Sequence, residues 1–103
     1  MTRFKEGLWW HRGQAYSHNV LLPAILASTH MTMLKAIQDK KSKSNTKIRK
    51  IRRAQNQLLM CTMAAHGIDL ETIADVVHVK QSTVARTIEN RIGDAIQSTT
   101  LSY

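Results

Sequence analysis

Over most of this chain, apolar residues recur at helical rather than alternating spacing. Leu22, Leu26, Met33 and Ile37, with Ile25 and Leu34 beside them, predict a first long helix from about Ser17 or Asn19 to Asp39. Pro23 fits if it falls in the first turn of that helix. The polar run Lys40-Lys41-Ser42-Lys43-Ser44 reads as a linker. Asn45 is a suitable N-cap for a second helix, which runs to about Ala65 or His66 and ends at a left-handed Gly67. Ile48, Ile51, Leu58, Leu59, Thr62 and Ala65 give its inward face. Asp69 caps a third helix, Leu70 to Val77. A fourth begins near Gln81 or Ser82 on a stripe of Val84, Ile88, Ile92 and Ile96. Residues 1 to 16 carry no such period. Gly7 and Gly13 break them around Trp9-Trp10, and an arm or a short helix is expected there. The tail from Gln97 to Tyr103 is polar and expected to fray.

These spans predict an all-α fold, a small bundle of about four helices ending in a helix-turn-helix. The composition agrees. Aromatics, glycine and proline are scarce, while Ala, Leu, Ile, Met, Gln and Lys are plentiful. A length of 103 residues suits one domain, or one domain with an arm. The chain divides into residues 1–39, an arm and helix suited to a dimer or partner contact, and residues 40–103, a basic segment followed by the helix-turn-helix. No uninterrupted apolar run approaches the ~20 residues of a membrane span, so no membrane partner is expected. The first ten residues lack a signal-peptide pattern. The single cysteine, Cys61, forbids an internal disulfide and fits a reducing cytosol.

Residues 68–96 carry the most information. Ile73 and Ala74 lie on the first helix of the pair, where the small Ala74 lets the second helix cross close by. Val79 is placed to plug the turn. Val84 and Ile88, one turn apart, close the small core. Gln81, Ser82, Arg86 and Asn90 are left pointing outward. The segment from about Gln55 to Ile96 resembles the LuxR/GerE-type helix-turn-helix. The resemblance rests on Leu58-Leu59, Gly67, Asp69, Ile73-Ala74-Asp75, Val79, Thr83-Val84, Arg86, Ile88 and Ile92. The shorter core from Ile73 to Arg86 is also similar to LacI-type recognition units and to the fourth conserved region of sigma factors. His78 stands where many such units have glycine, a bulky choice also common in the LuxR type. Ala85 stands where that family often has a basic residue. The resemblance implies a DNA-binding transcription regulator.

Charge sharpens this expectation. The net charge is +8, and Lys40, Lys41, Lys43, Lys47, Arg49, Lys50, Arg52 and Arg53 lie in one stretch without an acid. The remaining basic and acidic residues balance. Like charges at i,i+4 cost helix stability, so the stretch reads as a phosphate-neutralising surface rather than a solvated face. The helix-turn-helix is itself slightly acidic, with Lys80, Arg86 and Arg91 against Asp69, Glu71, Asp75, Glu89 and Asp94.

The expected base-reading groups are Gln81, Ser82, Arg86 and Asn90, because Arg pairs with guanine and Asn or Gln with adenine. Lys80, Thr83 and Thr87 would hold the DNA backbone, together with Lys43, Lys47, Arg49, Lys50, Arg52 and Arg53. The partner is then double-stranded DNA and the assembly a homodimer, since one such unit reads only a few base pairs. The location is the cytoplasm, at the nucleoid. An adaptor that grips RNA polymerase, a sigma factor or another transcription factor is the second reading. It is motivated by the acidic helix-turn-helix and by Trp9-Trp10, which are either core residues or a partner-binding anchor. An RNA-binding protein led by the basic run is the third. No cofactor is implied. His11, His18, His30, His66 and His78 form no metal set with Cys61, and no catalytic motif is present, so an enzyme is not expected.

Overall fold

The computed structural model describes residues 2–101, with side chains through Thr99. Three short strands, β1 (Arg3–Lys5), β2 (Leu8–His11) and β3 (Gln14–Ser17), precede four helices, α1 (His18–Gln38), α2 (Ser44–Ala65), α3 (Leu70–Val77) and α4 (Gln81–Leu101). The fold is therefore α+β, not all-α. Residues that lacked a helical period form a three-stranded antiparallel sheet in the order β1-β2-β3. Lys5 pairs with Leu8 and His11 with Gln14, so each turn has two central residues. All four have positive φ: Glu6 (56°), Gly7 (78°), Arg12 (50°) and Gly13 (79°). That is the type I′ geometry whose twist matches paired strands.

The sheet belongs to the core. Phe4 and Tyr16 flank Trp9 from opposite sides in the register, and Trp9 is fully buried. Phe4 meets Trp9 edge-on at 5.0 Å between ring centroids. The Trp9 indole N–H donates to His18 Nδ1 over 3.1 Å, which ties the sheet to the start of α1. Trp9, Leu21, Ile25, Met60, Cys61, Ile73, Val84, Ile88 and Ile92 form one apolar cluster, drawn from both ends of the chain.

The helices differ in detail from their expected faces. In α1 the buried residues are Leu21, Ile25, Thr29 and Ala36, while Leu34 and Ile37 of the expected stripe are exposed. Thr29 is tolerated inside because its hydroxyl donates to the Ile25 carbonyl at 2.9 Å. Pro23 sits in the second turn rather than the first. By length and composition α1 is also apolar enough to cross a membrane, contrary to the reading of the sequence. Scattered Ser, Thr and His hide this from a search for unbroken apolar runs. In α2 the buried residues are Ala54, Met60 and Cys61, with Ile48 and Leu59 exposed. Lys43, not Asn45, occupies its N-cap, without a side-chain cap bond.

The C-terminal boundaries follow the sequence closely. Gly67, at φ 82°, ends α2, and the N–H groups of Gly67 and Ile68 bond to the carbonyls of Ala64 and Met63. This nested pair is a Schellman motif. Asp69 caps α3 by accepting from the Thr72 N–H at 3.3 Å. The Thr72 hydroxyl first, and then this N–H, hold the Asp69 carboxyl below the usual carboxylate range. The expected tail is helical over most of its length, as α4 continues to Leu101. Ser102 and Tyr103 lie outside the described residues.

Candidate nucleic-acid interface

The turn between α3 and α4 sets the site. His78 adopts the left-handed conformation (φ 59°, ψ 45°), and the Val79 N–H returns to the Ala74 carbonyl at 3.1 Å. The Lys80 carbonyl then accepts from the N–H groups of Thr83 and Val84 and starts α4. The Ala74 side chain is nearly fully buried, as close crossing of α4 requires. Val84, Ile88 and Ile92 are buried on the inner face of α4, with 3 % exposure or less. This pins the helix rotation, so Gln81, Ser82, Arg86 and Asn90 all lie on exposed surface. Val79 does not plug the turn as the sequence suggested. It is 37 % exposed and forms part of a surface cleft, because the turn lifts it away from the core.

That cleft, of about 390 Å³, is where α2 and α4 meet. Arg49, Arg52 and Arg53 line it from α2, and Thr83 and Thr87 from α4, with Asn56, Gln57 and Met60 between them. The i, i+3, i+4 spacing places the three arginines on one side of the helix. Five of the expected backbone-contacting residues thus converge beside the start of α4, and Lys80 stands in the adjoining turn. The lysines of the basic run do not join them. Lys47 Nζ donates to the Ile37 carbonyl at 3.3 Å, and Lys50 Nζ lies 3.9 Å from the Asp39 carboxylate. Lys43, two turns of sequence away from the arginines, sits at the α2 N-cap. The basic run is therefore two surfaces: an arginine side facing α4 and a lysine side facing the end of α1.

Arg91, a positive group of the same helix, is taken up internally. Its guanidinium donates from Nε to Gln57 Oε1 at 2.8 Å and from Nη1 to Ser28 Oγ at 3.1 Å, and Nη2 also reaches Gln57. It links α1, α2 and α4. Cys61 is buried in the core, and burial pushes its thiol up to about 12, against a smaller opposing pull from Arg91. It is an inert packing residue rather than a nucleophile.

The outer face of α4 is readable only over its first part. At Gly93 the His11 ring packs against the helix backbone, where an added Cβ would stand 3.5 Å from the ring. His11 is itself nearly buried and bonded through Nδ1 to Thr2 Oγ1 at 2.6 Å. The β2–β3 hairpin thus lies across the middle of α4. The polar cleft beside it contains Arg12, Asn90, Glu89 and Asp94. Arg12, at the hairpin tip, was missed from the sequence, because nothing in residues 1–16 signalled a turn pointing at α4. Glu89 and Asp94 mark where phosphate would be repelled, so the surface suited to nucleic acid stops near Asn90. The stretch Gln81–Asn90 is about 15 Å long at helical rise, comparable to the ~12 Å width of a major groove.

The tryptophan pair is split. Trp9 is fully buried, which removes it as a partner-binding anchor, since its ring is the centre of the sheet–helix contact. Trp10 points to the other face and is 39 % exposed, with its indole N–H on the Lys5 carbonyl at 3.3 Å. Among the described residues, no group of three His, Cys, Asp or Glu side chains is gathered to hold a metal ion. Comparison of the chain with protein-family models, with curated proteins and with solved structures finds no match.

Proposed function

We propose that this protein binds duplex DNA in a sequence-dependent way, as a small transcription regulator whose helix-turn-helix resembles the LuxR/GerE type. The start of α4 enters the major groove, where Gln81, Ser82, Arg86 and Asn90 meet base edges. Arg49, Arg52 and Arg53, with Lys80, Thr83 and Thr87, hold the flanking backbone. The observation that carries this reading is the cleft between α2 and α4, in which three arginines stand beside an exposed polar helix start. The chain would work as a homodimer, in the cytoplasm at the nucleoid. The test is selection of bound duplexes from a random pool by the purified chain at near-physiological salt. An enriched motif is the expected result. Salt-sensitive binding without any motif would overturn the base-reading assignment.

An adaptor that binds RNA polymerase or another transcription factor draws on one observation, the exposed Trp10. Removing residues 1–16 would not test it, because that deletion also takes Trp9 out of the core. Trp10→Ala is the cleaner probe. An adaptor predicts loss of partner capture by that variant with DNA binding unchanged.

A further inference from the structure

One face of α1 is fully buried within the chain, and Ala24 and Ser28 at its edge also make contacts there. Leu21, Ile25, Thr29 and Ala36 are buried. On the opposite side Val20, Ala24, Ala27, Met31 and Leu34 follow one another at steps of four, three, four and three, the repeat by which two helices pair along a seam. Val20 is 55 % exposed, Met31 52 % and Leu34 45 %. Ala27 is exposed, while Ala24, at the edge of the stripe, is half-buried and packs in part against the core. Between His18 and Gln38 only Lys35 carries a formal charge. A helix apolar on both sides normally has both sides covered.

We propose that this stripe is the interface for a second copy of the chain, with the two α1 helices packed antiparallel. Charge decides the direction. Lys35, Lys40, Lys41 and Lys43 gather at and just beyond the C-terminal end of α1. Parallel packing would bring two such ends together, whereas antiparallel packing separates them by roughly 32 Å, several Debye lengths at physiological salt. The helix dipoles favour the same arrangement. Side-chain size agrees with it. With Ala27 at the two-fold axis, Val20 of one copy faces Leu34 of the other and Ala24 faces Met31, so small residues oppose large ones and the axes approach closely. Pairing along the whole helix covers on the order of 1,000 Å² in total, near the lower bound for a specific interface, so a dimer that dissociates on dilution is expected. Lipid is the competing occupant. However, Leu21 and Ile25 are locked in the core and Ser28 is bonded to Arg91, so membrane insertion of α1 would have to strip those contacts.

The proposal deepens the homodimer of the proposed function, but it rests on α1 and is tested without nucleic acid, so its failure removes the dimer and leaves the DNA-binding reading of α2 and α4 standing. Sedimentation equilibrium of the full chain, from low micromolar to several hundred micromolar, should show the mass rising from 11.7 kDa towards twice that value. Met31→Glu/Leu34→Glu should keep its helical circular dichroism and its cooperative melt and remain at monomer mass. A wild-type chain that stays monomeric overturns the proposal, as does a charged variant that dimerises unchanged. Should the double variant fail to fold, Ala27→Cys provides the second measurement. Mild oxidation should join two copies at the axis, with buried Cys61 unreactive, and the absence of a cross-link in the folded variant counts against the interface. Flotation of a monomeric wild-type chain with phosphatidylserine–phosphatidylcholine vesicles, abolished by Met31→Glu/Leu34→Glu, would give the stripe to lipid and overturn the dimer.

Discussion

α1 and α4 are each 21 residues long, and both bury one side in the same core. Their outer sides differ. That of α4 carries Ser82, Arg86 and Asn90, short or planar groups that hydrogen-bond in fixed directions. That of α1 carries Val20, Met31 and Leu34, which bond to nothing and gain only by leaving water. The inner faces hold the molecule together and are nearly interchangeable in chemistry. The outer faces separate the two helices by what each can meet: a polar groove for α4, another apolar helix for α1. The arginine side of α2 belongs with α4 in this division, and its lysine side belongs with the end of α1.

The strongest way to break the division is to reverse the arginine side. Arg49→Glu/Arg52→Glu/Arg53→Glu should weaken binding to every duplex by about 100-fold or more and lower the slope of log affinity against log salt by about 3. The same reversal at Lys43, Lys47 and Lys50 should change affinity far less. Filter binding over a salt series measures both, and equal losses from the two triplets would show that α2 presents one undivided basic surface. Next in size is Arg91→Ala, which removes the link joining α1, α2 and α4 and leaves Gln57 and Ser28 without their charged donor. A stability loss of about 2 kcal/mol in urea denaturation is expected, with Cys61 becoming reactive to thiol reagents at lower denaturant. An unchanged midpoint would mean that the link contributes nothing.

Arg86→Ala acts on the outer face of α4 alone. It should cost about 1–3 kcal/mol of discrimination between the selected motif and a scrambled duplex, while the thermal midpoint stays unchanged. An unaltered footprint would remove Arg86 from the reading face.

The contrast between these regions also explains what could be read in the sequence. From Gly67 to the start of α4, structure is set locally: a left-handed glycine, an aspartate capping the amide three residues on, and Val84, Ile88 and Ile92 at helical spacing. Each cue acts within one or two turns, so the span of α3 and the exposed set Gln81, Ser82, Arg86 and Asn90 were legible. The sheet was not. Strands of three and four residues allow too few alternations to register. Their turns are built on Glu6-Gly7 and Arg12-Gly13 rather than on the Asn-Gly or Asp-Gly that marks a hairpin. The inward face of α1 was misplaced because a helix apolar nearly all round has no period to choose a side. The division of α2 could have been found, since Arg49, Arg52 and Arg53 share one side while Lys43, Lys47 and Lys50 follow steps of four and three on another.

A milder probe concerns how the sheet is held to α1, the helix that lacks polar ties on its outer side. His18 accepts the Trp9 indole N–H at Nδ1, which requires that nitrogen to be unprotonated. Burial, and next the neighbouring His66, lower its pKa from the ordinary 6.5. The unfolded chain therefore binds the proton more readily than the folded one. The stabilising contribution is complete above 6.5 and declines as pH falls from there towards the lower folded value. Urea midpoints should thus be lower at pH 5.5 than at pH 7.5, and His18→Gln, which offers an oxygen to the indole without titrating, should flatten that difference. Equal slopes in the two proteins would place the pH dependence elsewhere.

The smallest expected effect tests the turn that aims α4. His78 holds a left-handed conformation that costs a residue with a Cβ about 1–2 kcal/mol, while glycine in its place loses more entropy on folding. The two terms partly cancel, so His78→Gly should stabilise the fold by roughly 0.5–1 kcal/mol. The Val79-to-Ala74 bond that closes the turn is made by backbone groups and survives the change. The angle of α4 should therefore persist, with DNA affinity and the selected motif unaltered. A gain in stability joined to a changed motif would mean that the imidazole itself, and not only the backbone of the turn, helps to place the reading face.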